Sequence, residues 1–410
     1  MKKAETQNNN LLKGWRKVKL EELVIPGGSV SGPFGSDIKS IYFRPKGVPI
    51  IRGNNLTMNI DKGRYIDDDY IFLDPKKFEE LKKAEALPED IIITARGTIG
   101  QTGIIPRNSK YPRYIISANQ LRFRIDKQKA DPLFVYYQLS LKYMAQQMQN
   151  YSVNVGVPNF NLTAARNLEL LIPEDISEQK RIADILSAFD DKIELNNKII
   201  KTLEEMVQEI FKEWFVRFRF PGWEKVKFVN SELGKIPEGW EVRKFEEIME
   251  FLSGKNPDST IFNSSGKYYI YGSNTIMGKS DNLLYNGPIV ILARIGSNCG
   301  ALRLSITPCW ISNNTAGIKG KNDISTFFIY LLLKNFDFTQ IKEGTGQPYI
   351  NIKALKSYIT ALPSRNILKN FEEVISSFYF KIQQKVEENQ KLTELRDLLL
   401  PKLMSGEIRV

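Results

Sequence analysis

The chain repeats its own opening. Near the start it reads Gly14-Trp15-Arg16-Lys17-Val18-Lys19-Leu20-Glu21-Glu22-Leu23. The second half opens as Gly239-Trp240-Glu241-Val242-Arg243-Lys244-Phe245-Glu246-Glu247-Ile248. Two further landmarks return in the same order. Ala95-Arg96 aligns with Ala293-Arg294, and Val157-Pro158-Asn159-Phe160-Asn161-Leu162 aligns with Gln347-Pro348-Tyr349-Ile350-Asn351-Ile352. The separation between partners shrinks from one landmark to the next, so loops of different length lie between them. A duplicated frame with divergent loops restricts the chain to two similar bodies, each free to face a different target.

Each half has the same grammar. Short β-rich runs, such as Pro49 to Arg52, Asp90 to Ala95, Tyr114 to Ile116 and Leu121 to Ile125, are punctuated by Gly, Pro and Asn. Helical stretches are expected near Pro132 to Met148 and Phe327 to Asn335, and strands at Tyr268 to Tyr271, Pro288 to Ala293 and Cys309 to Ile311. The fold class is α+β. The expected division is 1–173, 174–220, 221–362 and 363–410, with the first and third segments globular and the other two long helices. Leu233 to Glu238 reads as a linker inside the third.

The helices announce themselves by period. Ile182, Leu186, Phe189, Ile193, Asn196, Ile200, Leu203, Val207, Ile210 and Trp214 alternate spacings of four and three, a heptad seam. It runs for roughly 48 Å at ~1.5 Å per residue. Phe371, Ile375, Phe378, Ile382, Lys385, Asn389, Leu392, Leu395, Leu399 and Leu403 form a second seam. An apolar stripe this long needs a partner. Antiparallel pairing with aligned ends sets Ile182 against Leu403, Trp214 against Phe371, and Asn196 against Asn389. A buried Asn pair would fix register at a cost in stability.

Composition removes most chemistry. The 410 residues include no His and two Cys. A Ser-His-Asp triad, a His general base and any His-containing or all-Cys zinc site are therefore impossible. Ser273 to Ser280 nearly spells a phosphate-binding loop, but its first position is Ser and the residues after it are turn-like. No Asn/Asp-Pro-Pro-aromatic tetrapeptide and no Gly-x-Gly-x-x-Gly is present. Neither catalytic residues nor a metal site are expected. The net charge of +11, from 58 Lys+Arg against 47 Asp+Glu, suits a polyanionic partner. Basic residues among aromatics, as in Tyr111-Pro112-Arg113-Tyr114 and Arg122-Phe123-Arg124, suggest a groove that meets phosphates. No apolar run approaches a bilayer span and no signal peptide is read at the start, so the cytoplasm is the expected location.

The chain resembles the DNA-specificity subunit of a type I restriction-modification system. Leu171-Ile172-Pro173 followed by Glu178-Gln179-Lys180-Arg181-Ile182 is similar to the start of that family's central helix, and Phe211-Lys212-Glu213-Trp214-Phe215 to its end. Leu399-Leu400-Pro401-Lys402-Leu403-Met404-Ser405-Gly406-Glu407-Ile408-Arg409-Val410 resembles the family's C-terminal segment. Gly32-Pro33-Phe34-Gly35-Ser36, Arg96-Gly97-Thr98-Ile99-Gly100, Ser253-Gly254-Lys255 and Trp310-Ile311-Ser312-Asn313-Asn314-Thr315 resemble segments of its target-recognition domains. The second helix opens as Pro363-Ser364-Arg365-Asn366-Ile367-Leu368, without the Glu-Gln-basic-Ile signature, so partner docking is expected to be less symmetric than the repeat.

The resemblance implies two mixed α/β target-recognition domains separated by two antiparallel coiled-coil helices with a pseudo-two-fold internal repeat. Double-stranded DNA would be read as a split site. Two methyltransferase subunits would bring S-adenosylmethionine, and two restriction subunits would bring ATP and Mg. No cofactor is expected on this chain itself.

Candidate DNA-contacting residues follow from chemistry, since Arg suits guanine and Asn or Gln suits adenine in the major groove. In the first domain they are Ser31, Gly32, Phe34, Gly35, Ser36, Arg52, Asn54, Asn55, Arg96, Thr98, Asn119 and Gln120. In the second they are Lys255, Tyr271, Ser273, Asn274, Arg294, Asn298, Ser312, Asn313 and Asn314. Two other readings stay open on the residues alone: a stand-alone repressor-like DNA-binding protein, and a fragment of a bifunctional restriction enzyme. The long helical seams argue against the first and the missing methyltransferase motifs against the second.

Overall fold

The computed structural model describes residues 13–57, 63–151, 160–273 and 275–410. It contains two compact units. One takes the chain up to Asn197 together with Glu388–Val410, and the other takes Lys198–Glu387. The division runs through both long helices, Ile176–Phe211 and Arg365–Met404.

In the first unit, strand Trp15–Lys19 pairs antiparallel with Glu169–Pro173, which brings the start and end of the globular body together. The turn after it explains one repeated motif. Glu22 accepts the Lys19 backbone N–H at 2.8 Å, and Glu247 does the same for Lys244 at 3.3 Å in the second unit. A carboxylate at the third position satisfies a donor that a helical turn would otherwise orphan.

A four-stranded sheet follows, in the order Val24–Ser31, Gln120–Ile125, Ile91–Thr94, Thr102–Ile104. A second sheet contains the parallel pair Val48–Ile51 and Tyr114–Ile116. The helical stretch expected near Pro132 to Met148 is two helices, Pro132–Leu139 and Lys142–Asn150. Asp131 caps the first by accepting from Leu133 and Phe134, as a short acceptor at an N-cap does.

The second unit repeats the plan. Its four-stranded sheet runs Met249–Ser253, Thr315–Gly320, Ile289–Ala293, Leu302–Ser305. The parallel pair is Tyr268–Tyr271 with Cys309–Ile311. The landmark at 157–162 is described from Phe160 onward. There Asn161 accepts from Ala164 N–H at 2.8 Å and Asn351 accepts from Ala354 N–H at 3.0 Å, so the repeated Asn is a repeated helix cap. The segment read as a linker is instead a hairpin of Phe228–Ser231 with Gly234–Pro237. Gly234 takes the left-handed turn conformation at φ 88°, which lets the chain reverse there.

The long helices pair antiparallel inside each unit. In the first, Ile182, Ala183 and Leu186 share a core with Leu400, Leu403 and Met404, and Asn196 Nδ2 donates to Asn389 Oδ1 at 2.8 Å. In the second, the Trp214 and Phe371 rings lie 5.6 Å apart. The inner residues differ from the expected ones at two places on the second helix. Leu395 is 50% exposed, and its neighbour Arg396, 1% exposed, takes the inner position. Likewise Tyr379 is buried where Phe378 was expected. Spacings of three and four continued from Asn389 through Leu392 fall on Arg396, Leu399 and Leu403, so the heptad itself turns Arg396 inward, while Tyr379 is drawn in by its stacking on Phe327 at 4.9 Å.

Candidate nucleic-acid interface

Most of the first unit's candidates meet at one place. A cleft of about 600 Å³ is lined by Gly35, Arg52, Asn54, Arg96, Gly97, Thr98, Asn119 and Gln120, with Ile38, Phe43, Ile50 and Ile71 as apolar neighbours. The sheet frame gathers them. Ala95 and Arg96 N–H both donate to Asn119 O, which ties the Arg96–Gly100 turn to the loop after Tyr114–Ile116. Gly97 has φ 95°, a conformation a side chain rarely accepts. Asp69 holds one wall. It accepts from Asn54 Nδ2 at 2.8 Å through a carboxylate oxygen, and from Arg52 Nη2 at 2.8 Å through its backbone carbonyl.

Gln101 belongs to this group and was not among the candidates. It lines the cleft and accepts from Thr94 Oγ1 at 3.1 Å. Its place immediately after the Arg96–Gly100 turn was the available signal. Ser31 lies exposed at the end of its strand, and Phe34 and Ser36 lie exposed on the loop that follows.

Gly32 anchors that loop. Its N–H donates to Gln120 O at 2.9 Å, and a Cβ there would collide with the Ser117 carbonyl. The second unit repeats the approach, since a Cβ on Gly254 would collide with the Ser312 carbonyl. Ser312 N–H donates to Tyr271 O at 2.9 Å where Ser117 N–H donates to Ile51 O at 3.0 Å. Lys255, Asn313, Asn314 and Asn298 are exposed on the second unit's loops, and Arg294 is half-buried. Ser273 Oγ donates to Asn314 O at 3.2 Å. Tyr285 hydroxyl and Trp310 Nε1 brace the Ser253–Lys255 segment by donating to its carbonyls, each at 2.9 Å. Asn274 lies outside the described residues.

Several expectations need correction. Asn55 is fully buried, accepts Arg52 N–H and donates to Ile66 O and Asp68 O. With both amide hydrogens and its Oδ1 engaged inside the loop, it is a bracket rather than a contact. Gln120 is buried against the Ser117 hydroxyl. Ser312 is buried, and so is Tyr271, whose ring lies under the Arg303 guanidinium at 5.5 Å; burial pushes the Tyr271 hydroxyl pKa above its ordinary value.

The basic–aromatic runs are also spent internally. Arg124 grips Asp90 with two bonds of 2.8 Å, Arg122 donates to Gly28 O at 2.8 Å, and Arg113 lies over the Phe78 ring at 5.5 Å. Finally, equivalent backbone bonds set Arg294 beside Ala95 rather than Arg96. Arg294 O accepts from Ile350 N–H as Ala95 O accepts from Phe160 N–H. The two arginines therefore sit one residue apart on the common frame.

Beneath the first unit's globular body the helices carry a polar network. Arg396 Nη1 donates to Asp190 at 2.8 Å and Tyr137 hydroxyl donates to the same carboxylate at 2.5 Å. Burial pushes the Asp190 carboxyl above its usual range against the pull of Tyr137 and Arg396. Arg64 reaches down to Asp191 and Glu194. Asn389 Nδ2 donates to Asn197 Oδ1 at 2.9 Å, while Asn196 Oδ1 is buried without a partner.

These features define a class: a duplicated α/β recognition frame mounted on paired long helices, with loop-built polar faces. The family described as "Type I restriction modification DNA specificity domain" matches residues 13–205 and 237–396. The MjaIX type I specificity subunit of Methanocaldococcus jannaschii is 30% identical over 345 residues, 78% of each chain. The HindI specificity subunit of Haemophilus influenzae is 26% identical over 332 residues, covering 61% of this chain and 71% of that one. A crystal structure of an S subunit from M. genitalium shares the fold, with a TM-score of 0.61 at 17% identity over 97% of both chains. The chain belongs to the type I restriction-modification DNA specificity family. It serves sequence-specific DNA recognition in such a system.

Proposed function

We propose that the chain reads a split DNA site, one half with each globular domain, and carries partner subunits to it without catalysing a reaction itself. The observation that carries this reading is the pair of equivalent loop platforms, Gly32 on Ser117 and Gly254 on Ser312. The frame is duplicated, while the residues displayed on it differ. A duplicated reader with different displays suits two different half-sites separated by an unread spacer. The long helices would set that spacer. Half-site centres about 34 Å apart lie on one face of the duplex.

Two methyltransferase subunits would dock on the helices and supply S-adenosylmethionine. They would also supply the pocket for the flipped adenine. Two restriction subunits would add ATP- and Mg-dependent cleavage. The complex would act in the cytoplasm on host and incoming DNA. For this chain the contacts expected to matter most are Arg96 and Asn119 at the first cleft, and Lys255, Arg294, Asn313 and Asn314 in the second unit.

Co-expression with a methyltransferase partner, followed by mapping of N6-methyladenine in host DNA, tests the reading. A single interrupted motif methylated on both strands is expected. An uninterrupted motif, or a stable complex that leaves no new methylation, would overturn it.

A further inference from the structure

Phe34 is 82% exposed, more than any other large apolar side chain among the described residues. Isolated exposed apolar residues are common and need no explanation on their own. This one is different because of how it is held. Pro33 restricts the backbone just before it. Gly32 is locked between Gln120 O and the Ser117 carbonyl, where no side chain fits. Asp37 N–H donates to Phe34 O at 2.8 Å and closes the turn on the other side. Gly35, the next residue, lines the cleft that also contains Arg52, Arg96 and Asn119. The ring is thus presented to solvent by a braced loop at the rim of the polar cleft.

The second unit has the same anchor and a different display. Gly254 sits on Ser312 as Gly32 sits on Ser117. The residues that follow are Lys255 and Asn256 where the first loop has Pro33 and Phe34. One loop offers an aromatic face and the other a cation and an amide.

We infer that Phe34 is a wedge that stacks against a base of the first half-site and opens the adjoining base step, whereas the second loop holds the DNA backbone through Lys255 without opening it. The inference rests on the proposed reading of a split site. Apolar side chains inserted at a base step unstack it and kink the duplex, and a base laid on an aromatic ring gains sequence-tolerant stacking energy. The cleft beside the ring then receives base edges at the opened step. The first half-site is distorted and the second is not.

The test uses the complex of the full chain with its methyltransferase partner, and duplexes containing the methylated motif. 2-Aminopurine is placed in turn at each position of both half-sites except the methylated adenine and its pairing partner, and fluorescence is read without S-adenosylmethionine. The wild-type complex should brighten the probe at one step of one half-site only. Phe34→Ala should abolish that signal and weaken binding about tenfold, Phe34→Trp should restore both, and Lys255→Ala should leave the signal and reduce the salt dependence of binding. Tight binding with no brightening, brightening that survives Phe34→Ala, or equal brightening in both half-sites would overturn the wedge. Failure of the wild-type complex to bind the motif would instead overturn the reading on which the wedge rests.

Discussion

The two units grip the same pair of helices by different chemistry. The first adds charge and hydrogen bonds to its apolar seam: Arg396 and Tyr137 on Asp190, Arg64 on Asp191 and Glu194, and the Asn196, Asn389 and Asn197 amides. The second relies on aromatic packing. Phe371 meets Trp214 at 5.6 Å and Phe215 at 4.6 Å, and Tyr379 stacks on Phe327 at 4.9 Å. Aromatic packing involves no net charge, so salt does not screen it. A buried ion pair demands one geometry and costs a great deal when half of it is lost. Duplication therefore preserved the frame and left the fastening free to diverge.

The contrast can be broken most forcefully at Phe371. Phe371→Ala empties a buried aromatic site and should cost about 4 kcal/mol, with the same loss at low and high salt in denaturant unfolding. Arg396→Met should cost about 3 kcal/mol, because it strands a buried Asp190 carboxylate. Most of that loss should return in the double variant Asp190→Leu with Arg396→Met. A double variant no better than the single would show that the pair is not the source of the cost. Arg64→Ala should cost only about 1 kcal/mol, since its partners are partly exposed and screened, and that cost should shrink as salt rises. Hydrogen exchange in the segments around Arg64 and Asp191 would report it.

The smallest effect runs the other way. Asn196→Leu with Asn389→Leu should gain about 1 kcal/mol by removing an acceptor that has no partner, at the expense of helix register. A loss of stability would contradict that role for the amides.

Much of this was legible in the sequence, and the reasons are local. Heptad spacing exposed both helices because apolar period survives any tertiary context, and it paired Trp214 with Phe371 correctly. Lys19 to Glu22, Lys244 to Glu247, Asn161 and Asn351 stood out as repeats because each cap is made within three residues, although their capping role came only with the fold. The Asp190–Arg396 pair was missed because period analysis prefers the apolar neighbours Phe189 and Leu395 at positions where the helix turns a charged residue inward. The surface loops were located, but loop chemistry did not say which polar residues face outward. Asn55 and Asn54 are adjacent and alike, yet one is a buried bracket and the other lines the cleft. Only the fold separates them.

The central claim is that the two domains read separate half-sites independently. It is tested by mapping N6-methyladenine with Arg96→Ala and with a combined Asn313→Ala and Asn314→Ala variant, each co-expressed with the methyltransferase. Arg96→Ala should relax or weaken recognition in one half of the motif only, by about 1–3 kcal/mol if it makes a two-bond base contact. The second-unit variant should affect the other half only, with the spacer unchanged in both. Loss of sequence preference in both halves from either variant, or a change in spacer length, would contradict the account.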